Sequence, residues 1–138
     1  MPVTQERTGW RDEGISRRHR KWGVGCTAVD FDFLLIEYEF GKPCAIVEYK
    51  NEHAEPQYAS DNRYKALISL GDNSKIPVIA CRYSDDFTRY TVTSLNEFAK
   101  KYVPERKTFD ETGYITLLYE MKGHEVTPEF FERMKVEI

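Results

Sequence analysis

Segments of helical and strand periodicity alternate along this chain, and that order predicts an α/β fold. Two further observations support the class. Two apolar runs rich in β-branched and aromatic residues meet at Gly41-Lys42-Pro43, the pattern of a β-hairpin. With 138 residues, 41% of them hydrophobic and 14% aromatic, the chain can bury a core as a single domain spanning 1–138.

Residues 1–13 read as a loosely ordered arm with Trp10 as an anchor. Ile15, His19 and Trp22 then fall at i, i+4 and i+7, one helical stripe, with cations in the last turn and Gly23 after it. Strands follow over Ala28 to Phe40 and Pro43 to Lys50; the first is apolar on both faces, as a central strand is. A polar connection from Asn51 to Pro56 leads into a helix ending at Leu70, with Tyr64, Leu67 and Ile68 inward and Gly71-Asp72-Asn73 as a turn. Ile76 to Arg82 and Thr88 to Thr93 are strands around a turn at Ser84-Asp85-Asp86. Ser94-Leu95-Asn96-Glu97 has the capping-box pattern of a helix that Pro104 stops. A strand over Tyr114 to Met121 and a helix opened by Thr127 and Pro128 complete the order α-β-β-α-β-β-α-β-α.

Bulk properties exclude several classes. No apolar run approaches the roughly 20 residues of a membrane span. The polar N-terminus has no apolar signal core, so a cytoplasmic protein is expected. Cys26, Cys44 and Cys81 are too widely spaced for a zinc motif, and Cys44 and Cys81 read as buried thiols. The net charge of -3 gives no global sign of nucleic-acid binding, yet Arg17, Arg18, Arg20 and Lys21 form a basic cluster. A solvated helix face is the default reading of such a run, and a phosphate-contacting patch is the functional one.

The chemistry concentrates in the hairpin. Glu48 and Lys50 share a face because side chains alternate along a strand, and pairing through the turn returns Asp32 to their level. Two carboxylates and an ammonium in an apolar setting are costly unless a metal or a reaction uses them. Magnesium takes oxygen ligands and keeps several waters, so Asp32, Glu48 and the Tyr49 carbonyl form a candidate ligand set. Lys50 would orient the attacking water and stabilise developing negative charge. These parts suit phosphodiester hydrolysis; no nucleophile elbow, Walker loop or dinucleotide glycine pattern is present. Asp30 shares the face of Asp32 and competes with it, although the distance to the turn favours Asp32. His19, His53 and His124 read as non-catalytic, and an edge hairpin with Glu48 and Lys50 as a surface ion pair would leave Asp32 unexplained.

Asp32, the turn Gly41-Lys42-Pro43 and Ala45-Ile46-Val47-Glu48-Tyr49-Lys50 together resemble the PD-(D/E)XK nuclease superfamily, in particular its small phage and resolvase-like members. The resemblance covers about residues 10 to 102 and implies a restriction-endonuclease-like α-β-β-β-α-β core with a mixed central sheet flanked by helices. Residues 108–138 would then be an added C-terminal strand and helix. It further implies a magnesium-dependent DNA endonuclease, with manganese as a substitute, in phage DNA processing or recombination. Asp32, Glu48 and Lys50 match the catalytic motif. Glu13 is the candidate for a further helix-borne acid, and Gln57 for the glutamine some members carry on the following helix. Asp61 stands where a tyrosine is expected after that glutamine, and Phe31 where a proline precedes the aspartate. Arg17, Arg18, Arg20 and Lys21, extended by Arg63 and Lys65, would bind the DNA backbone. Resolvase-like relatives pair to cut two strands, which makes the C-terminal strand and helix a candidate homodimer surface. The competing expectation is a silent nuclease-like scaffold that binds nucleic acid or inhibits a protein partner.

Overall fold

A computed structural model describes residues 13–26, 32–56 and 61–137. Trp10, Asp30, Gln57, Tyr58 and the start of the expected first strand lie outside the described residues. Chain contacts group into two units, Met1–Asp30 and Phe31–Ile138.

In the first unit, α1 spans Glu13–Lys21 and a short 3-10 turn follows at Val24–Cys26. Arg18, His19, Arg20 and Lys21 fill the last turn, as expected, and Gly23 takes φ of 88° just past it. The His19 and Trp22 rings meet at 4.7 Å.

The second unit is built on a mixed five-stranded sheet, in the order β1-β2-β3-β4-β5. Its strands are β1 Phe33–Glu37, β2 Lys42–Asn51, β3 Val78–Tyr83, β4 Tyr90–Ser94 and β5 Lys107–Phe109. Only β2 and β3 run parallel; every other neighbouring pair is antiparallel. A parallel pair needs a crossover, supplied by α2, Asn62–Ser74. The remaining helices are α3 Glu97–Lys100, α4 Glu111–Met121 and α5 Pro128–Glu137. Among the described residues, no helix is long and apolar enough to cross a membrane.

Strand alternation sorts the side chains onto two faces. Ala45, Val47, Ile79, Cys81, Tyr90 and Val92 pack with Tyr114, Leu117 and Met121 of α4 into the main core. On the opposite face, α2 packs against β2 and β3 and buries Tyr64, Leu67 and Gly71. That is the face of Glu48 and Lys50.

Several sequence expectations are corrected. The first strand is the sheet edge among the described residues rather than a central strand: Phe33 and Leu34 stay exposed, and β2 is the buried one. It ends at Glu37 because Phe40 N–H turns back to the Glu37 carboxylate at 2.8 Å, with Gly41 at φ of 64° closing the turn. The expected strand over Tyr114 to Met121 is instead helix α4. Asp110 caps it by accepting from Gly113 N–H at 2.7 Å, and Tyr114, Leu117, Leu118 and Met121 form a helical stripe. Strand β5 precedes it unanticipated. The cap of the third expected helix also moves: Ser94 ends β4 and donates to the Val103 carbonyl, while Asn96 caps the single turn of α3. The expected α5 is present, with Thr127 Oγ1 accepting from Phe130 N–H.

Helix α2 does not stop at Leu70. It runs on to Ser74, and Lys75 takes the left-handed conformation that ends it. Gly71 sits inside the helix because a Cβ there would lie 2.1 Å from Val78 Cγ2, on a fully buried and stiff side chain. Overpacking of this kind costs about 1–3 kcal/mol, against about 1 kcal/mol of helix propensity gained. Gly71→Ala should therefore lower the urea midpoint; an unchanged or higher midpoint would contradict this packing.

Candidate functional site

The hairpin register places the acids. Phe33 pairs with Val47, so the preceding residue, Asp32, stands opposite Glu48. Two hydrogen bonds interlock them. Asp32 N–H donates to Glu48 Oε1 at 2.9 Å, and Tyr49 N–H donates to Asp32 Oδ2 at 2.8 Å. Backbone polar groups alternate sides along a strand, and Ile46 and Glu52 N–H point toward β3. The N–H and carbonyl of Tyr49 accordingly both face the Asp32 side. Three expected participants, Asp32, Glu48 and the Tyr49 backbone, are thus brought together.

Glu48 is 0% exposed, whereas Asp32 lies at the exposed end of the hairpin. Burial pushes the Glu48 carboxyl above its ordinary value. The Asp32 N–H opposes that shift, the Asp32 charge adds to it, and Arg63 and Lys50 oppose it. Lys50, two residues along the same face, therefore lies within electrostatic reach of the carboxyl.

Arg63 is the residue that sequence reasoning misplaced. Expected on the phosphate backbone, it instead donates to Glu48 Oε2 at 3.0 Å from the first turn of α2. The signal was present: Arg63 stands four residues before buried Leu67, hence on the sheet-facing side of the helix. Its Nε is buried and has no hydrogen-bond partner among the described residues. Lys65, by contrast, is exposed on α2, and Arg17, Arg18, Arg20 and Lys21 are exposed on α1. Glu13 opens α1, with its side chain outside the described set, and Gln57 lies outside the described residues.

A second unanticipated arginine organises the loop after β2. Arg82 donates to the carbonyls of Asn51, Glu52, Ala54 and Glu55 at 3.1–3.3 Å. His53, read as a loop residue, pairs with Asp85 at 3.1 Å, and Asn51 also holds that carboxylate. Their contacts are structural and tie this loop to the β3–β4 turn.

The donor set fits one hard divalent cation. Each Glu48 oxygen accepts one hydrogen bond and keeps a lone pair, and Asp32 Oδ1 has no partner among the described residues. Among the described residues, no three His, Cys, Asp or Glu side chains converge as a metal cluster, so the set is two carboxylates plus a carbonyl. Magnesium needs no more, because waters complete its shell. Comparison with protein families, curated proteins and solved structures gave no match to this chain.

Proposed function

We propose that this chain is a magnesium-dependent nuclease of the PD-(D/E)XK kind that hydrolyses phosphodiester bonds in DNA. The observation that carries the reading is the interlocked Asp32–Glu48 pair, with Glu48 fully buried and Lys50 on the same face. A buried carboxylate beside a second one is unfavourable in a purely structural role and favourable where a cation is held. The order helix, acid-bearing hairpin, helix, parallel strand supports a restriction-endonuclease-like core, with two rather than three strands before α2 among the described residues.

In this reading Asp32, Glu48 and the Tyr49 carbonyl hold the ion, which when bound acidifies a water and stabilises charge on the phosphate. Lys50 orients that water and faces the developing negative charge. Glu48 must be ionised to serve, and because burial raises its pKa in the metal-free protein, a cation must displace that proton and binds more weakly toward acid pH.

Arg63 on Glu48 Oε2 favours a second reading, a silent scaffold, because a guanidinium there already supplies the positive charge that a cation would bring. One experiment separates the two. Linear, branched and single-stranded DNA, with RNA beside them, are incubated with magnesium or manganese, with chelator, and with Lys50→Ala. Metal-dependent cutting that falls about 100-fold in Lys50→Ala is the expected result. Binding without cutting on every substrate, in either metal, would assign the scaffold instead.

A further inference from the structure

Beside Glu48, on the same face of the sheet, runs a cleft of about 300 Å³ whose lining includes Lys50, Tyr64, Arg82, Thr91, Thr93 and Arg106. Among the described residues, three cations line it and no carboxylate does. Its floor follows from the strand registers. Glu48 pairs with Ala80, and Ala80 with Thr93; one residue beyond the Val92–Lys107 pair, Arg106 stands next to Thr93. In the adjacent row Lys50 pairs with Arg82, and Arg82 with Thr91. The smaller side chains Ala80, Thr93 and Thr91 leave a channel open between Lys50 and Arg106, with Arg82 and Tyr64 of α2 along its wall.

The cations differ in what they are free to do. Arg82 is committed to the carbonyls of the loop after β2. The side chains of Lys50 and Arg106 make no hydrogen bond to the described residues. A channel with a fixed positive wall and two uncommitted cations at its ends suits an elongated anion with more than one charge. We infer that this cleft seats the backbone of the DNA strand being cut, with Arg106 holding a phosphate that flanks the scissile one. At about 4.8 Å per strand, Arg106 is rooted about 14 Å across the sheet from Glu48, too far to act on the reacting phosphate. It is a binding residue. That the strand in the cleft is the one being cut rests on the nuclease reading; that the cleft binds a strand does not.

Fluorescence anisotropy of a labelled single-stranded DNA oligonucleotide, with chelator and over a salt series, tests this without turnover. The full chain is compared with Arg106→Gln and with Lys107→Gln, which removes the same charge from the neighbouring residue on the opposite face of β5. Arg106→Gln should weaken binding about 5–10-fold and flatten the salt slope by about 0.7, one single-strand phosphate contact. Lys107→Gln should change little. Equal losses in both variants, or none in Arg106→Gln, would overturn the cleft assignment. So would displacement of the oligonucleotide by inorganic phosphate at matched ionic strength. If Arg106→Gln weakens binding while the unaltered protein cuts nothing, the cleft stands and the nuclease reading falls. If Lys50→Ala loses cutting while Arg106→Gln binds normally, the nuclease reading stands and the cleft assignment falls.

Discussion

Glu48→Gln should abolish metal-dependent cleavage, by about 10³-fold or more, while leaving the fold intact. Glutamine has the same shape, and its amide oxygen can still accept from Asp32 N–H, so the hairpin keeps its interlock. It cannot carry the charge that a divalent cation needs. Removing one member of a buried ion pair costs about 3–5 kcal/mol when the partner is stranded, but the Arg63 side chain is 32% exposed and can turn toward water. The stability loss should therefore fall well short of that range. Two readouts besides activity follow. Magnesium at ten times its Kd should stabilise the unaltered protein by about 1.4 kcal/mol and leave Glu48→Gln unmoved. The second is pH. Because the folded pKa of Glu48 is raised above its ordinary 4.5, the folded state binds this proton more tightly than the unfolded chain does. Metal-free stability thus falls as pH rises from about 4.5 through the raised value, and Glu48→Gln should lack that fall. Metal stabilisation should grow across the same window, since the cation takes the ionised form. Equal metal stabilisation in both proteins would remove Glu48 from the ligand set.

The site was legible where the physics is local and periodic. Alternation put Glu48 and Lys50 on one face, and a turn that Gly41 closes, one step ahead of the expected Gly41-Lys42-Pro43 because Lys42 and Pro43 already belong to β2, returned the chain so that Asp32 met Glu48. What could not be read was set by contacts distant in sequence. Helical spacing with Leu67 turns Arg63 toward the sheet but does not name its partner, a carboxylate fifteen residues earlier, and nothing near Arg82 says that it will gather four carbonyls some thirty residues back. The Tyr114 to Met121 segment misled for another reason. Ile115, Thr116 and two tyrosines favour a strand locally, whereas the Asp110 cap and a face packed on the β-sheet decide for a helix. Gly71 misled similarly. Read locally a glycine ends a helix, but here it lets α2 approach Val78.

Asn96→Ala should be strongly destabilising, at about 3 kcal/mol. Asn96 is nearly buried, and its side chain both caps its own helix, α3, and bridges it to the end of α2 and the start of β3. Its Oδ1 accepts from Val78 N–H, at the start of β3, and from Ala99 N–H in α3, both at 3.0 Å. Its Nδ2 donates to the Ile76 carbonyl at 2.9 Å and to Asp72 Oδ1 at 3.1 Å, near the end of α2. Alanine would strip the Val78 N–H and the Ile76 carbonyl of this partner, each worth about 1–3 kcal/mol where water cannot replace the amide, while Ala99 N–H keeps the Asn96 carbonyl at 3.2 Å. A lost helix cap alone costs about 0.5–2 kcal/mol, and these terms overlap rather than add. The urea midpoint should drop with an unchanged slope, as for a lost native contact. Asn96→Asp offers an internal check. It keeps both Oδ1 bonds but sets a carboxylate against Asp72 and the Ile76 carbonyl, so its deficit should shrink as acid protonates that carboxylate. A loss below about 1 kcal/mol in Asn96→Ala would mean that water satisfies these groups. The consequence reaches the site because Asn96 fixes where β3 begins beside β2. That register sets Ala80 next to Glu48 and Arg82 next to Lys50, and a slip of one residue would turn the cationic wall of the cleft onto the apolar face.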